Sequence, residues 1–170
     1  MNQMKTIRIE KLTLNVGAGK DTGRLEKSMK LLKMITGVEP VKTYTNKRIP
    51  TWNLRPGLPI GCKITIRGKK AITILKTLLT AKDNVLKDKQ FDNNGNLAFG
   101  IHEYIDIKDI QYNPEIGITG FEVCITFERP GYRVKKRKIQ TKKVGKAHRI
   151  SREEAKEFIK KEFDVTFGDE

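Results

Sequence analysis

The sequence predicts an α+β fold in which an antiparallel sheet carries helices on one face and leaves its other face open. Two observations lead to this expectation: several short stretches alternate between apolar and polar residues, and other segments repeat apolar residues at helical spacing. At 170 residues with 37% hydrophobic content, the chain can bury one sizeable core. We expect residues 1–128 to form the core domain. Residues 129–170 should form a basic extension that ends in a short helix and packs as part of the same domain.

A strand and a helix are predicted at the start of the chain. Residues 7–16 alternate with one phase change, which predicts a strand with a bulge near Glu10 and Lys11. A helix should begin at Thr22 and end at Gly37. Its expected core-facing residues are Leu25, Met29, Leu32 and Ile35.

Two further strands are predicted at residues 41–47 and 62–67, from their alternation and β-branched content. Between them, residues 48–61 contain three prolines and two glycines and show no apolar period, which predicts a long loop. Loops of this length in compact domains are usually functional or disordered.

The next elements are a second helix, a turn and a late strand. The helix is expected over residues 69–81, with one apolar face formed by Ile72, Leu75, Leu78 and Leu79. Residues 91–100 predict a turn that leads into an extended segment, and residues 121–127 alternate as a strand.

The last part of the chain changes to a basic composition. From Arg129 to Arg152 there are eleven Lys or Arg and no Asp or Glu. Because this run has few apolar residues, we expect it to lie outside the core and the removal of Arg129 to Arg149 to leave the fold intact. Ser151 and Glu154 have the spacing of a capping box and predict a short terminal helix.

The charge balance predicts a polyanionic partner. The chain has 35 Lys+Arg against 20 Asp+Glu, a net charge of +15, and such a field concentrates nucleic acids. An anionic membrane surface is the alternative, but we find no 18-residue apolar run, leader or lipidation motif and expect a soluble, intracellular protein. Cys62 and Cys124 are isolated and predict neither a disulfide framework nor a zinc site, so we expect no metal and no cofactor.

A glycine-rich stretch near the start, LNVGAGKDTG at residues 14–23, raises the question of a phosphate loop. It fails the Walker pattern, because Leu14 replaces the first glycine and Asp21 the hydroxyl residue; its glycine spacing also misses the dinucleotide fingerprint. The amides around Gly17 to Lys20 could still face any phosphate, and a turn that binds nothing is the open alternative. A nucleotide-binding enzyme is the alternative function.

The open face of the sheet can be predicted from alternation. With Ile64 and Ile66 in the core, Lys63, Thr65 and Arg67 should share the opposite side. By the same rule, Thr13 and Asn15 should lie opposite Leu14 and Val16, and Lys42, Tyr44 and Asn46 could join the open face. Cations, hydroxyls and amides of this kind contact phosphates and 2′-hydroxyls, although any solvated sheet face also carries polar residues.

The long loop contains the only tryptophan, Trp52, between Arg48 and Arg55. An aromatic ring flanked by cations can stack on a base or ribose, whereas a packing role for the ring is the alternative. Catalysis finds little support, because His102 has no nucleophile motif near it and Glu103 and Asp106 fit a solvated face. We therefore expect no enzymatic activity.

Several strings together resemble a known family. LNVGAG, ITGVEPV, LRPGLPIGCKITIRG and FDNNGNLAFGIHEY are similar, in order and spacing over nearly the whole chain, to the universal ribosomal protein L-five family. The later strings RPGYRVKKRK and GKAHRISREEA resemble its archaeal and eukaryotic branch, so the chain is identified as an archaeal-type member.

This resemblance implies a cytoplasmic protein in the central protuberance of the large ribosomal subunit. It implies binding to 5S rRNA and large-subunit rRNA, a loop directed toward the elbow of the P-site tRNA, and a neighbouring protein of the L-eighteen type. Asn15 and Thr65 match family positions associated with the 5S rRNA contact.

Together, the residue patterns and the resemblance give three predicted sets of contacts. For 5S rRNA they are Asn15, Lys20, Lys42, Asn46, Lys63, Thr65 and Arg67. The loop facing tRNA contributes Arg48, Trp52, Arg55, Gly57 and Leu58. Additional rRNA contacts are expected from Arg133, Lys135, Lys136, Arg137, Lys138, Lys142, Lys143, His148 and Arg149.

Overall fold

A computed structural model describes residues 2–108 and 110–168. The three helices are α1 (Thr22–Thr36), α2 (Lys69–Thr80) and α3 (Arg152–Phe163). Seven strands are described: β1 (Arg8–Gly17), β2 (Val41–Tyr44), β3 (Pro59–Ile66), β4 (Val85–Lys87), β5 (Leu97–Ile101), β6 (Phe121–Glu128) and β7 (Thr166–Gly168). Five strands form an antiparallel sheet in the order β2-β3-β1-β6-β5, and β4 pairs with β7 in parallel. The predicted α+β class is confirmed.

The chain divides into two compact units. Unit 1 comprises residues 1–12, 67–98 and 125–170, and unit 2 comprises residues 13–66 and 99–124. Strands β1, β5 and β6 each contribute residues to both units. The division of the chain after residue 128 stays a prediction.

In unit 2, helix α1 packs against β3. The helix begins after Asp21, whose carboxylate accepts hydrogen bonds from the N–H groups of Gly23 (2.9 Å) and Arg24 (3.3 Å), and it ends at Gly37 in the left-handed conformation with φ 66°. Both ends agree with the predicted bounds. The core-facing residues are Leu25, Ser28, Leu31, Leu32 and Thr36.

The other two predicted core-facing residues, Met29 and Ile35, are half-buried and lie at the edge of this core. Ser28 and Thr36 also occupy core positions. Their hydroxyls donate to the carbonyls of Arg24 (2.8 Å) and Leu32 (2.7 Å), so these polar groups are buried without losing their hydrogen bonds.

In unit 1, helix α2 buries Leu75, Leu78 and Leu79, as predicted. Ile72 is 41% exposed, so its predicted place in the core is wrong, and the smaller Ala71 is fully buried instead. Helix α3 packs on β6 through the rings of Phe158 and Phe127, whose centroids are 5.7 Å apart in an edge-to-face arrangement.

The basic segment, residues 129–152, is fixed at both ends within unit 1. Arg129 is 4%, Tyr132 7% and Ile150 2% exposed. The predicted capping box is confirmed, since Glu154 N–H donates to Ser151 Oγ (3.3 Å) and Ser151 N–H donates to Glu154 Oε2 (3.0 Å). The expectation that this run lies outside the core is therefore wrong at its two ends, because these three buried side chains attach it to the fold.

Candidate nucleic-acid interface

The open face of unit 2 is formed by the residues of β1 and β3 that point away from helix α1. Along β3, Cys62, Ile64 and Ile66 are buried, while Lys63 and Thr65 between them are exposed. Arg67, directly after β3, is exposed too. The predicted alternation is confirmed, and no acidic side chain pairs with Lys63 among the described residues.

Strand β1 adds amide and hydroxyl groups to the open face. Leu14 and Val16 are buried, whereas Thr13 and Asn15 are half-buried on the opposite side, as predicted. Asn15 Nδ2 donates to Oε2 of Glu122 at 3.2 Å. The acidic side chain of Glu122 therefore lies on the open face. The positive charge of the open face is concentrated along β3.

The position of Lys42 differs from the expectation. The register pairs Val41 with Lys63 and Lys42 with Cys62, and directly opposed residues of antiparallel strands point to the same side. Val41 therefore shares the open face with Lys63, while Lys42 lies on the side of the buried Cys62 and is exposed because β2 is an edge strand. The expected place of Lys42 on the open face is wrong.

Two other predicted residues are accessible at the C-terminal end of β2. The register shifts between Thr43 and Tyr44, where the strand leaves its regular pairing. Tyr44 is 57% exposed, and Asn46 beyond it is also exposed. Their contacts with RNA stay predictions.

The glycine-rich stretch forms a tight turn between β1 and α1. The N–H groups of Ala18 and Gly19 both donate to the carbonyl of Ile60, at 2.9 and 3.0 Å. The carboxylate of Asp21 caps the helix that follows. The expectation that these amides face a phosphate is wrong for Ala18 and Gly19, and the exposed side chain of Lys20 is what this turn presents to a polyanion.

The loop between β2 and β3 is an ordered tip hairpin, residues 45–58. Ile49 and Leu54 pair in an antiparallel bridge, and the N–H groups of Trp52 and Asn53 donate to the carbonyls of Ile49 (3.2 Å) and Pro50 (2.9 Å). At its base, the N–H groups of Thr45 and Gly57 bond to the carbonyls of Leu58 (3.0 Å) and Thr45 (2.9 Å). The side chain of Leu54 is buried beneath the hairpin, with 8% of its surface exposed.

The hairpin presents its ring and cations to solvent. Trp52 is 66% exposed, and Arg48 and Arg55 are exposed as well. Gly57 is exposed and Leu58 half-buried. The packing alternative for Trp52 is thereby ruled out within this chain, and the ring is free to stack on a partner.

Within unit 1, one predicted rRNA ligand is neutralised by acids. Lys136 Nζ lies 2.8 Å from Glu10 Oε1 and 2.7 Å from Glu128 Oε2, and Arg8 Nη2 lies 2.7 Å from Glu128 Oε1. Burial disfavours the charge of Lys136, but the hydrogen bonds that it donates to both carboxylates outweigh this effect and raise its pKa. Lys136 thus holds the basic segment to β1 and β6.

His148 is also engaged inside the segment. Its Nε2 lies 2.9 Å from the carbonyl oxygen of Pro130, and its ring packs edge-to-face on Tyr132 with centroids 5.7 Å apart. The remaining predicted ligands of this segment are all exposed and pair with no acid among the described residues: Arg133, Lys135, Arg137, Lys138, Lys142, Lys143 and Arg149.

Two other kinds of site are absent from the described residues. No cluster of His, Cys, Asp or Glu there could hold a metal ion, and no helix in this part of the chain is long and apolar enough to cross a membrane. What the described surface offers to a polyanion is cations, amides and the exposed rings of Tyr44, Trp52 and Tyr112.

Comparison with protein families identifies the chain. Residues 2–55 match the model described as Ribosomal protein L5, and residues 59–167 match the model for the C-terminus of the same ribosomal family. The chain belongs to the ribosomal protein L5 family. The two models together cover nearly all of the chain, as the resemblance predicted.

Archaeal relatives agree with this family along their whole length. The Nanoarchaeum equitans protein is 48% identical over 163 residues, covering 95% of this chain and 96% of the relative. The Sulfurisphaera tokodaii protein is 45% identical over 167 residues, covering 98% and 94%. The Methanosphaera stadtmanae protein is 41% identical over 166 residues, covering 98% and 99%. Each is named Large ribosomal subunit protein uL5, and the archaeal-type assignment within the L5 family is confirmed.

Proposed function

We propose that this protein is a non-catalytic constituent of the large ribosomal subunit in the cytoplasm that binds 5S rRNA and anchors it in the central protuberance. The ribosomal role is supported by membership of the L5 family and by relatives named as large-subunit proteins over almost the same length. The choice of 5S rRNA rests on the family resemblance and on the surfaces described above.

The observation that carries the proposal is the open face of unit 2. Lys63 and Thr65 are exposed on a strand whose other side packs on α1, so their positions are fixed before any partner arrives. A pre-ordered platform loses little conformational entropy on binding. Cations and hydroxyls on it suit the phosphates and 2′-hydroxyls of a folded RNA.

The tip hairpin is proposed to reach the elbow of the P-site tRNA. Its backbone hydrogen bonds hold Trp52 at an exposed tip between two arginines. Such a ring can stack on a base or ribose while the guanidinium groups bind phosphate. A protein of the L-eighteen type, which shares 5S rRNA in the family, is the proposed protein neighbour.

Binding of purified chain to 5S rRNA over a range of salt concentrations tests the proposal. The affinity should fall linearly on a log–log plot, with a slope that corresponds to about 6 to 10 phosphate contacts. Lys63→Gln should reduce the magnitude of the slope by about 0.9 if this lysine neutralises one phosphate. Lys76→Gln removes the same charge from the exposed side of α2 and is the matched control, which should leave the slope unchanged.

Thr65→Val tests the hydroxyl on the same strand. It should weaken 5S rRNA binding by about 1 to 3 kcal/mol if a buried hydrogen bond to RNA is lost. A flat salt plot, or equal affinities for wild type, Lys63→Gln and Thr65→Val, would contradict the proposal.

A further inference from the structure

Unit 1 contains a cavity of about 400 Å³ between the turn before β5 and the basic segment. We call it the turn pocket. Its inner wall is apolar, formed by Phe127, Tyr132, Val144 and Ile150, and its rim carries cations and amides. The full lining is Asn94, Asn96, Thr126, Phe127, Tyr132, Lys135, Lys143, Val144, Arg149 and Ile150.

The charge of the rim is uncompensated. Lys135, Lys143 and Arg149 line the pocket, no acidic residue does, and none of the three pairs with an acid among the described residues. Lys135 is held over the ring of Tyr132, with Nζ 4.9 Å from the centroid. Three cations around a concave site favour an anion such as a phosphate.

The amide side of the pocket is held rigidly. Asp92 accepts hydrogen bonds from the N–H groups of Asn94 (2.8 Å) and Asn96 (2.7 Å), which closes the turn. Gly95 has φ 75°, and a Cβ there would lie 2.9 Å from Ile150 Cγ2 and 3.1 Å from the carbonyl oxygen of Ser151. The turn is therefore packed directly on the chain that forms the opposite wall.

Several polar groups of the pocket already have hydrogen-bond partners within the protein. Only the polar groups without such partners remain to bind a ligand. Tyr132 Oη donates to the carbonyl of His148 (3.1 Å) and accepts from Ile150 N–H (3.2 Å). Asn96 Nδ2 donates to Asp92 (2.7 Å). The side-chain amide of Asn94 makes no hydrogen bond within the described residues, and an amide can bond both donors and acceptors on the edge of a nucleobase.

We propose that the turn pocket receives one unstacked nucleotide of a bound ribosomal RNA. The apolar wall accommodates the base, the amide of Asn94 contacts its edge, and Lys143 with its neighbours binds the phosphate. Proteins that recognise RNA by sequence usually do so through such splayed-out bases. This inference rests on the proposed function, since it assumes an RNA partner, and it adds a discrete base-reading site to a surface otherwise suited to phosphates alone.

Titration of the isotopically labelled full chain with AMP, GMP, CMP and UMP, followed by NMR, tests the site. At least one nucleoside monophosphate should shift the side-chain amide signals of Asn94 and Asn96 saturably, and more tightly than inorganic phosphate does. Lys143→Gln should weaken this binding about tenfold or more, as expected for one charge-assisted hydrogen bond. Asn94→Ala should reduce the preference among the four bases.

The control is Lys146→Gln, an exposed lysine of the same segment that neither lines the pocket nor belongs to the predicted rRNA contacts, and this change should leave nucleotide binding unchanged. Absence of shifts, or equal binding of phosphate and all four nucleotides, would overturn the base site. Binding of 5S and large-subunit rRNA by the wild-type chain is measured in parallel. If rRNA binds while nucleotides do not, only this inference fails; if neither rRNA binds, the proposed function fails whatever the nucleotides do.

Discussion

Replacing Glu154 with Gln should destabilise the chain, because it leaves the buried guanidinium of Arg129 without its ionic partner. Arg129 Nη2 lies 2.7 Å from Glu154 Oε1, and Nη1 donates to the carbonyl of Arg149 at 3.3 Å. The side chain of Arg129 is 4% exposed and that of Glu154 is 43% exposed. Gln has a single oxygen, so it can accept either from Ser151 N–H, which keeps the helix cap, or from Arg129, but not from both.

The size of the effect follows from these exposures. Breaking a buried ion pair by removing one partner typically costs about 3 to 5 kcal/mol. Water reaches Glu154, which lowers the value of the pair, and the single oxygen of Gln can satisfy only one of the two donors, so we expect a loss of about 2 kcal/mol. Arg129→Met combined with Glu154→Gln should recover about 1 kcal/mol, because the charge that needs a partner is gone.

The single variant Glu154→Gln should also change the pH dependence of stability. Hydrogen bonding from Ser151 and then from Arg129 outweighs burial and lowers the pKa of Glu154. A carboxyl whose pKa is lower in the folded state stabilises the fold above its unfolded pKa, and this contribution is lost as the pH falls through the folded pKa. The gap between wild type and Glu154→Gln should therefore be largest at neutral pH and shrink below about pH 4.

Urea unfolding followed by circular dichroism measures these differences. Glu153→Gln is the matched control, since it removes a carboxylate from the same first turn of α3 and should change stability by less than about 0.5 kcal/mol. If Glu154→Gln is as stable as this control, or if adding Arg129→Met makes it less stable, the reasoning about the buried charge is refuted.

Three further outcomes are expected. Gly95→Ala should lower stability by about 2 kcal/mol in thermal unfolding, because of its positive φ and the contact with Ile150, whereas Gly145→Ala, with open space around its Cα, should not. Trp52→Ala should leave the unfolding curve unchanged but weaken tRNA binding by about 1 to 3 kcal/mol, and equal tRNA affinity would disprove the tip contact. Glu122→Gln should tighten 5S rRNA binding about twofold by removing an acid from the open face, and weaker binding would count against that face.

Local patterns predicted much of the fold. The bounds of α1 and the capping box of α3 depend on residues within one helical turn, and such signals are legible in one sequence. Leu12 is fully buried, as the phase change in β1 predicts, whereas the bulge near Glu10 and Lys11 stays a prediction.

Contacts between distant residues explain what the patterns missed. The amides of Ala18 and Gly19 are taken by Ile60, and Lys42 changes sides because of its pairing with Cys62. Strands β4 and β7 have three residues each, too short to show a period, and each forms only because the fold brings them together. Sequence periodicity carries no information about such pairings.

Sequence patterns predicted part of the candidate interface and missed the part that depends on distant residues. The exposure of Lys63 and Thr65 follows from the alternation of β3. The exposure of Trp52 follows from the absence of any apolar period in the sequence around it. The neutralisation of Lys136 and the burial of Arg129 depend on residues elsewhere along the chain, so a run of basic residues could not show which of its members are available to RNA.

Directed cleavage from the sheet surface is the most direct measurement of the central proposal, that the open face of unit 2 lies on 5S rRNA. An iron chelate is attached to the cysteine of Thr65→Cys, on the open face. In the control, it is attached to the cysteine of Thr73→Cys, on the exposed side of α2. Both carry Cys124→Ser, and buried Cys62 is unreactive because burial raises its pKa to about 11. Binding of 5S rRNA by the chelate-bearing chain is measured first, because Thr65 itself is a proposed contact. For chains that still bind, we predict a discrete set of 5S rRNA cuts from position 65 and none from position 73. Equal cleavage from both positions, or cleavage from position 73 alone, would contradict the account.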